Sequence, residues 1–425
     1  MNDARLHSQQ LALSDMDRAM LAGGFGDAAA LAMRVLTRAA TVMGATEMID
    51  VTRAHIDGCL YHGQTSLDFV DRLVADGGKV RIPTTLNVGS LDLIHPELFR
   101  GDATTRSAAQ QLMEAHLALG CESTFTCAPY QLKHRPVLGE QIAWAESNAI
   151  VFANSVLGAR TNRYGDFVDL CAALTGRAPY AGLHVTENRF GQIVFDMPDF
   201  TKIDCGRDIY FALVGLVVGA QTGSLIPVML GMPEDTTEDE LKALGAAAAS
   251  SGAVGMFHGV GVTPEAPTLA DALGNKSPLR TVHIEASELL AMRRELNGAS
   301  AGERLSAVCL GTPHFSLNEF ESLIRLLHTI PGTLRCDFFV STSRFILWEL
   351  GQSGRLQVLE RQGVQLVTDT CTYITPILKN IEGVVMTNSG KWAHYAPANI
   401  GARVAYGSMR ECVVSARRGE VVFNA

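Results

Sequence analysis

Nine cysteines are scattered through the 425 residues, at positions 59, 121, 127, 171, 205, 309, 336, 371 and 412, and no two stand as a C-x-x-C pair. That spacing argues against a zinc ribbon or a thioredoxin-like redox site. The odd count, in a chain whose first residues (Asp3, Arg5, Asp15, Asp17) show no apolar signal core, argues against a disulfide framework. Two fates remain for these thiols: small apolar groups in a core, or metal ligands gathered from distant parts of the chain. Cys371, in "DTCTYITP", and Cys127, in "TFTCAPY", stand in polar turns, where a metal thiolate or a buried thiol would both fit. Cys309 lies inside the apolar "AVCL" and reads as core; Cys412, in "RECVVSA", could be either; the other five read as structural.

Other side chains offer acid–base or anion chemistry. "TNSGKWAHYA" sets Ser389 beside Gly390 and Lys391, a group able to act as a base on a C–H acid or to bind an anion. The competing reading of Ser389 is a helix N-cap. "NSVLGARTNR" carries Arg160, whose fork suits a substrate carboxylate or an inter-domain ion pair. "AHIDGCLYHG" and "PTTLN" hold His55, Asp57, His62, Thr85 and Asn87, but the two histidines lack the spacing of a helical metal pair. No Walker A loop, G-x-G-x-x-G after a strand, H-E-x-x-H or G-x-S-x-G occurs. ATP use, Rossmann-type nicotinamide chemistry, zinc proteolysis and serine hydrolysis lose ground accordingly.

The elements that must position these residues follow from periodicity. Ser14 is a plausible N-cap, and helical spacing runs over residues 28–39, closed by Gly44. Strands are expected over 48–51 and 80–82, and helices over 67–75, 104–119 and 140–157. From residue 226 on, strand-like and helical segments alternate: strands over 226–230, 254–258, 282–284, 307–310, 338–341, 364–368 and 384–387, with helices between them. Such alternation predicts α/β layers with parallel strands. Polar or thiol residues stand just after four of those strands: Thr312 and His314, Thr342, Thr370 and Cys371, and Asn388 and Ser389. In open parallel sheets, ligands bind outside the carboxyl ends of the strands.

Composition agrees with a folded chain of two or three domains: 47% of residues are hydrophobic and 19% charged. Boundaries are placed near 130 and 265, giving regions 1–130, 131–265 and 266–425. The net charge of −9 and the lack of a basic block, beyond Arg417 and Arg418, argue against nucleic acid or an anionic membrane as partner. The apolar run 209–220 is too short to span a bilayer and reads as a buried helix, so a cytoplasmic location is expected.

Taken in order, "GGFGDAAALAMRVL", "VTRAHIDG", "IPTTLN", "TCAPY", "GEQIAWAESNAIVFANSVLGARTNR", "GLHVTENR", "LGTPHFSLNE", "DTCTY" and "TNSGKWAHY" resemble the aconitase X large subunit or catalytic domain, from about residue 13 to 419. The resemblance implies aconitase-like multi-layer parallel α/β domains and an iron–sulfur-dependent hydro-lyase. It also implies a heterodimer in which a small swivel-domain subunit is the partner. Within the family it implies dehydration of cis-3-hydroxy-L-proline to Δ1-pyrroline-2-carboxylate, in hydroxyproline catabolism, or else of mevalonate 5-phosphate. A non-catalytic iron–sulfur scaffold subunit is the remaining alternative. Cys127 and Cys371 match the family's cluster ligands. The third cysteine of the phosphomevalonate branch, in "GCPH", is Thr312 here. That departure favours a 2Fe-2S cluster and the hydroxyproline branch, and leaves the third ligand open between Cys412, Cys309 and an oxygen. By the same resemblance Ser389 is the candidate base with Lys391 beside it, and Ser66, Asn87 and Arg160 are candidates to hold the substrate.

Overall fold

A strand followed by a crossover helix can return only parallel to itself, and the regular alternation of the second half of the chain does fold this way. The computed structural model describes residues 11–203 and 205–424, and Asp3 and Arg5 lie outside them. In the first part, β1 (Met48–Asp50), β2 (Ala54–Ile56), β3 (Thr84–Leu86), β4 (Ala143–Trp144) and β5 (Arg177–Pro179) form two sheets. One is parallel, in the order β3-β2-β4; in the other, β1 and β5 pair antiparallel. Next come β6 (Ile193–Asp196), β7 (Pro227–Leu230), β8 (His258–Gly259) and β9 (Arg280–His283), parallel in the order β8-β7-β6-β9. The last sheet holds β10 (Leu305–Leu310), β11 (Asp337–Ser341), β12 (Val364–Val367), β13 (Val384–Thr387) and β14 (Arg403–Tyr406). Its order is β12-β11-β10-β13-β14, all parallel. The α/β class with parallel layers expected from the pattern is what forms. The β2–β4 pairing spans residue 130 and the β6–β9 pairing spans residue 265, the two positions expected as boundaries.

The chain leaves β10 toward β11 on one side and later returns to β13 on the other, so β10 and β13 flank a topological switch point. Crevices for ligands open at such points, outside the carboxyl ends of the strands. Thr312 and His314 follow β10, and Asn388 and Ser389 follow β13.

Three segments differ from expectation. The stretch 140–157 is not one helix: β4 ends at Trp144, Glu146 caps the helix Ser147–Phe152, and a π-helical turn, Ala153–Leu157, follows. Residues 80–82 are not a strand. Val80 N donates to Leu119 O and Arg81 N to Ala173 O, so helix ends take these amides, and pairing starts after Pro83. Of 254–258 only His258 enters a strand, because side chains claim the backbone before it: Asn154 Nδ2 bonds Gly255 O at 3.0 Å and Ser155 Oγ accepts from Phe257 N at 2.8 Å.

The run 209–220 is the buried interior of the helix Arg207–Thr222, which packs along the helix Glu238–Ser251. Among the described residues no helix is long and apolar enough to cross a membrane. The two helices approach closely because Gly215 faces Leu244: a Cβ there would overlap Leu244 O and stand 2.9 Å from Ala247 Cβ. Gly215→Ala is expected to destabilise by about 1–3 kcal/mol through overpacking, read as a lower denaturation midpoint with unchanged slope.

Candidate functional site

The thiols of Cys127 and Cys371 are brought together by loops from opposite ends of the chain. Cys127 follows β3 in space: Thr126 N donates to Leu86 O at 2.9 Å, and Asn148 Nδ2 holds Cys127 O at 2.6 Å. Cys371 lies just past β12, in a loop turned by Asp369 at φ 60°. That turn is fixed by Arg344, which forks onto the Asp369 carboxylate at 2.6 and 2.7 Å. Asp92, from the first part of the chain, accepts from Thr368 N and Oγ1 at 2.8 and 2.9 Å, and Gly89 N donates to Asp369 O at 2.7 Å. The segment 89–100 thus docks on the Cys371 loop.

A third donor was not singled out as a ligand from sequence. His314 lies two residues past Thr312, with its backbone N–H 3.3 Å from Cys127 Sγ. Its ring contacts Thr126 Oγ1 at 3.1 Å and Thr370 O at 3.4 Å, and Gln131 Nε2 and Lys242 Nζ reach its carbonyl oxygen at 3.1 and 3.5 Å. The donor atoms of Cys127, His314 and Cys371 all lie within 4.8 Å of one another, and all three residues are buried. Burial pushes the His314 imidazole down to about 4, so the ring is neutral at neutral pH and able to ligate. The hydrogen bond to Cys127, with burial, holds the Cys371 thiol well above its usual range.

This donor set opens on a cavity of about 620 Å3 lined by Asp57, Asn87, Glu146, Thr312, Tyr373 and Lys391 among others. Two soft sulfurs and an imidazole suit an iron–sulfur centre or another thiophilic metal, not magnesium or calcium. Two polar atoms on the same wall are buried without a partner: Thr312 Oγ1 and Asn87 Oδ1. Six other buried side-chain atoms of the described residues also lack a partner; these two are the ones on residues that line the cavity, where a bound ligand would supply it. The residues present fit the group the family resemblance implies.

Lys391 and Glu146 form a buried pair at 2.6 Å on this wall, and Lys391 Nζ also reaches Ser147 Oγ at 3.2 Å. Burial works against both charges. The Lys391 charge and hydrogen bond, with the backbone N–H groups of Ala149 and Asn148, nevertheless hold Glu146 below its ordinary pKa, and Glu146 above all holds Lys391 well above its own.

The other residues singled out from sequence are placed differently. Ser389 is the N-cap of the helix Gly390–Ile400: its Oγ accepts from Trp392 N at 3.0 Å and donates to Thr312 O. It lines a neighbouring cavity of about 400 Å3, which shares Thr312 and Lys391 with the first, and its hydroxyl is committed on both sides. Asn87 lines the thiol cavity as expected. Ser66 sits in the first turn of the helix Gln64–Ala75 and bonds Gly63 O, and Arg160 turns to Thr186 Oγ1 at 2.6 Å and His184 O at 3.4 Å; neither lines either cavity. Of the proposed third ligands, Cys412 packs with Val308, Leu310 and Met386 in a different hydrophobic cluster from that of Cys371, and its Sγ is 3.9 Å from Gly407 O. Cys309 is buried within β10, its thiol raised to about 12 by burial against a hydrogen bond from Thr372. Neither belongs to the three-donor group; the donor that lies within reach of both Cys127 and Cys371 is His314.

Glu146 was hidden inside a stretch that reads as helix, and His314 is 187 residues from Cys127. The signal available for His314 was its place after a buried strand, beside the Thr312 departure.

Three family models match end to end: the aconitase X first domain over residues 10–187, the second over 191–294 and the third over 305–418. The chain is 42% identical over 410 residues to the cis-3-hydroxy-L-proline dehydratase of Hypocrea jecorina, covering 96% of this chain and 69% of that one. It is 43% identical over 411 residues to the cis-3-hydroxy-L-proline dehydratase of Pseudomonas aeruginosa, covering 96% and 70%. The phosphomevalonate dehydratase large subunit of Methanothermobacter thermautotrophicus is 33% identical, covering 93% and 96%. Among solved structures, the holo-form of Thermococcus kodakaraensis aconitase X superposes with a TM-score of 0.85 at 30% identity, covering 95% of this chain and all of that one.

Proposed function

The chain belongs to the aconitase X family, and on that premise we propose that it is a hydro-lyase that dehydrates cis-3-hydroxy-L-proline to Δ1-pyrroline-2-carboxylate. The 42% and 43% identities to two dehydratases of that name, against 33% to the phosphomevalonate relative, favour this substrate. The observation that carries the chemistry is the pair of thiols, Cys127 and Cys371, which line the cavity and lie within 4.8 Å of a His314 ring nitrogen.

In the reaction the Cα–H and C3–O bonds break, a Cα=C3 bond forms and water leaves; the enamine then tautomerises to the cyclic imine. An iron–sulfur centre, a 2Fe-2S cluster in this reading, would be held by Cys127, Cys371 and His314, and when bound it supplies a Lewis acid for the leaving hydroxyl. The protein's own groups do the rest. Lys391, kept charged by Glu146, meets the substrate carboxylate and stabilises the negative charge that develops on it as the Cα proton leaves. Ser389 acts as the cap that fixes Thr312 and the turn carrying Lys391, because both of its hydrogen bonds are spent there. Thr312 Oγ1 offers a free polar contact at the mouth shared by the two cavities.

We infer a small-subunit partner as well. The phosphomevalonate relatives are named large subunits, and those names support the reading. The test is anaerobic expression with that partner, followed by metal analysis, an absorption spectrum and an assay for pyrroline-2-carboxylate. Iron with turnover supports the reading. A folded, metal-loaded complex that leaves cis-3-hydroxy-L-proline unchanged overturns it.

A further inference from the structure

The carboxyl ends of β2 and β3 lie side by side, with Ile56 in register with Leu86, so the next residues of each strand, Asp57 and Asn87, are neighbours. Asn87 N closes the register by donating to Ile56 O at 2.8 Å. The Asn87 side-chain amide then donates its N–H to Asp57 Oδ1. That leaves Asn87 Oδ1, on a residue only 5% exposed, buried with no donor. Both residues line the cavity that holds Cys127, Cys371 and Lys391.

Charge at this corner is one-sided. Among the described residues no lysine or arginine forms a salt bridge with Asp57, and the lysine of the cavity, Lys391, is bonded to Glu146 instead. Burial, then the negative charge of Glu146, Asp166 and Asp169, pushes the Asp57 carboxyl up to about 8 against the pull of Lys391. The Asp57 backbone N–H is spent on Asp169 Oδ2 at 2.7 Å. At this corner the Asp57 carboxyl takes one N–H, from Asn87, and has no salt-bridge partner, while Asn87 Oδ1 is buried with no donor. A partner that brings two N–H donors and a positive charge satisfies both at once, and a phosphate or hydroxyl-rich chain brings the opposite.

We propose that Asp57 and Asn87 form the subsite that receives the ring ammonium of the substrate, and that this subsite selects a cyclic amino acid over phosphorylated or uncharged hydroxy acids. The inference rests on the amino-acid reading of the substrate given above and adds the residues that make the choice. A secondary ammonium has two N–H groups, one for Asp57 and one for Asn87 Oδ1, while Lys391 on the same cavity wall takes the carboxylate. The two charged ends of the amino acid thus meet opposite charges within one cavity. An ammonium there also supplies the cation that the Asp57 carboxyl lacks and so favours its ionised form, which a neutral ligand cannot do.

The test compares two small ligands on the full, metal-loaded enzyme: L-proline, which carries the ammonium, and cyclopentanecarboxylate, which keeps the ring and carboxylate without nitrogen. Each is measured as a competitive inhibitor and by calorimetry. Asp57→Asn keeps the shape and the bond to Asn87, and is expected to weaken L-proline about ten- to a hundredfold, the worth of a charge-assisted hydrogen bond, while leaving cyclopentanecarboxylate unchanged. KM for the hydroxyproline should rise with kcat largely retained. Asn87→Ala should move L-proline in the same direction by less. An equal loss for both ligands would make the pair a merely structural element and overturn the proposal. So would a fall in kcat with L-proline binding intact, which would mark Asp57 as a proton-transfer group. Should wild-type enzyme fail to turn over the hydroxyproline, the proposed reaction falls, yet the ratio of the two calorimetric affinities still reads the subsite.

Discussion

Cys371→Ala is expected to remove both metal and turnover, with a loss of at least about a thousandfold, since Lewis-acid stabilisation of a leaving group contributes several kcal/mol. The alanine leaves Cys127 and His314 as the remaining donors of the group. Two ligands without the third do not make the closed set that holds a cluster. Iron content and the visible absorption should fall together with activity in the variant, while the far-ultraviolet circular dichroism stays that of the parent. Cys412→Ala is the matched control. Its thiol sits among Val308, Leu310 and Met386, outside the donor group, so metal and turnover should survive. A Cys371→Ala enzyme that keeps its iron would show that the thiol pair is core packing, and the mechanism would fall with it.

The second large effect belongs to Lys391. Removing one partner of a buried ion pair strands the other, at a cost of about 3–5 kcal/mol. Glu146 is 4% exposed and Lys391 6%, so Lys391→Met should lower the unfolding free energy by that amount and abolish turnover. The pH dependence gives the sign. In the parent, Lys391 holds the Glu146 pKa below its ordinary value, so the pair's stabilisation is present above the carboxylate range and is lost as pH falls through it. In the variant, burial is opposed only by the backbone N–H groups of Ala149 and Asn148, so the Glu146 pKa rises; the folded form then binds the extra proton more readily, and the deficit shrinks as pH falls. A second change, Glu146→Gln, should return most of the stability at neutral pH and none of the activity. Denaturant curves at pH 5 and 7.5 on the parent and the two variants check this, and a Lys391→Met protein as stable as the parent would refute the pairing.

The parallel sheet β10–β14 was legible from sequence because strands buried on both faces read as continuous apolar runs set between helical periods. The residues at its carboxyl edge were legible for the same reason, since the edge is where those runs stop. The stretch 140–157 misled because Ile142, Trp144, Ala149 and Phe152 keep an apolar rhythm through a strand end, a cap and a short helix. Nothing local distinguishes Glu146 as a cap until Lys391, 245 residues away, is seen against it. Local pattern set Cys127 and Cys371 apart only by their polar turns, where a metal thiolate and a buried thiol both fit; family resemblance made them ligand candidates. Ser389 illustrates the opposite case: a serine before Gly-Lys fits a base or a cap equally well in sequence, and the structure shows the cap, its Oγ accepting from Trp392 N and donating to Thr312 O from 77 residues away. Arg160 looked suited to a carboxylate, but its reach is set by the turn at Gly158, which aims it at Thr186.

The loop carrying Cys127 and the segment 89–100 come from the first aconitase X domain, and His314 and Cys371 come from the third. A metal held by these donors would be a clasp across a domain junction, added to contacts that include Asp92 with Thr368, Gly89 with Asp369, Gln131 with His314 and the Lys391–Glu146 pair. By mass action, a ligand bound at a hundred times its dissociation constant adds about 2.7 kcal/mol to the closed form. A chain loaded with metal is accordingly expected to be cut more slowly at this junction than the same chain without it, read as the rate of limited proteolysis with and without iron.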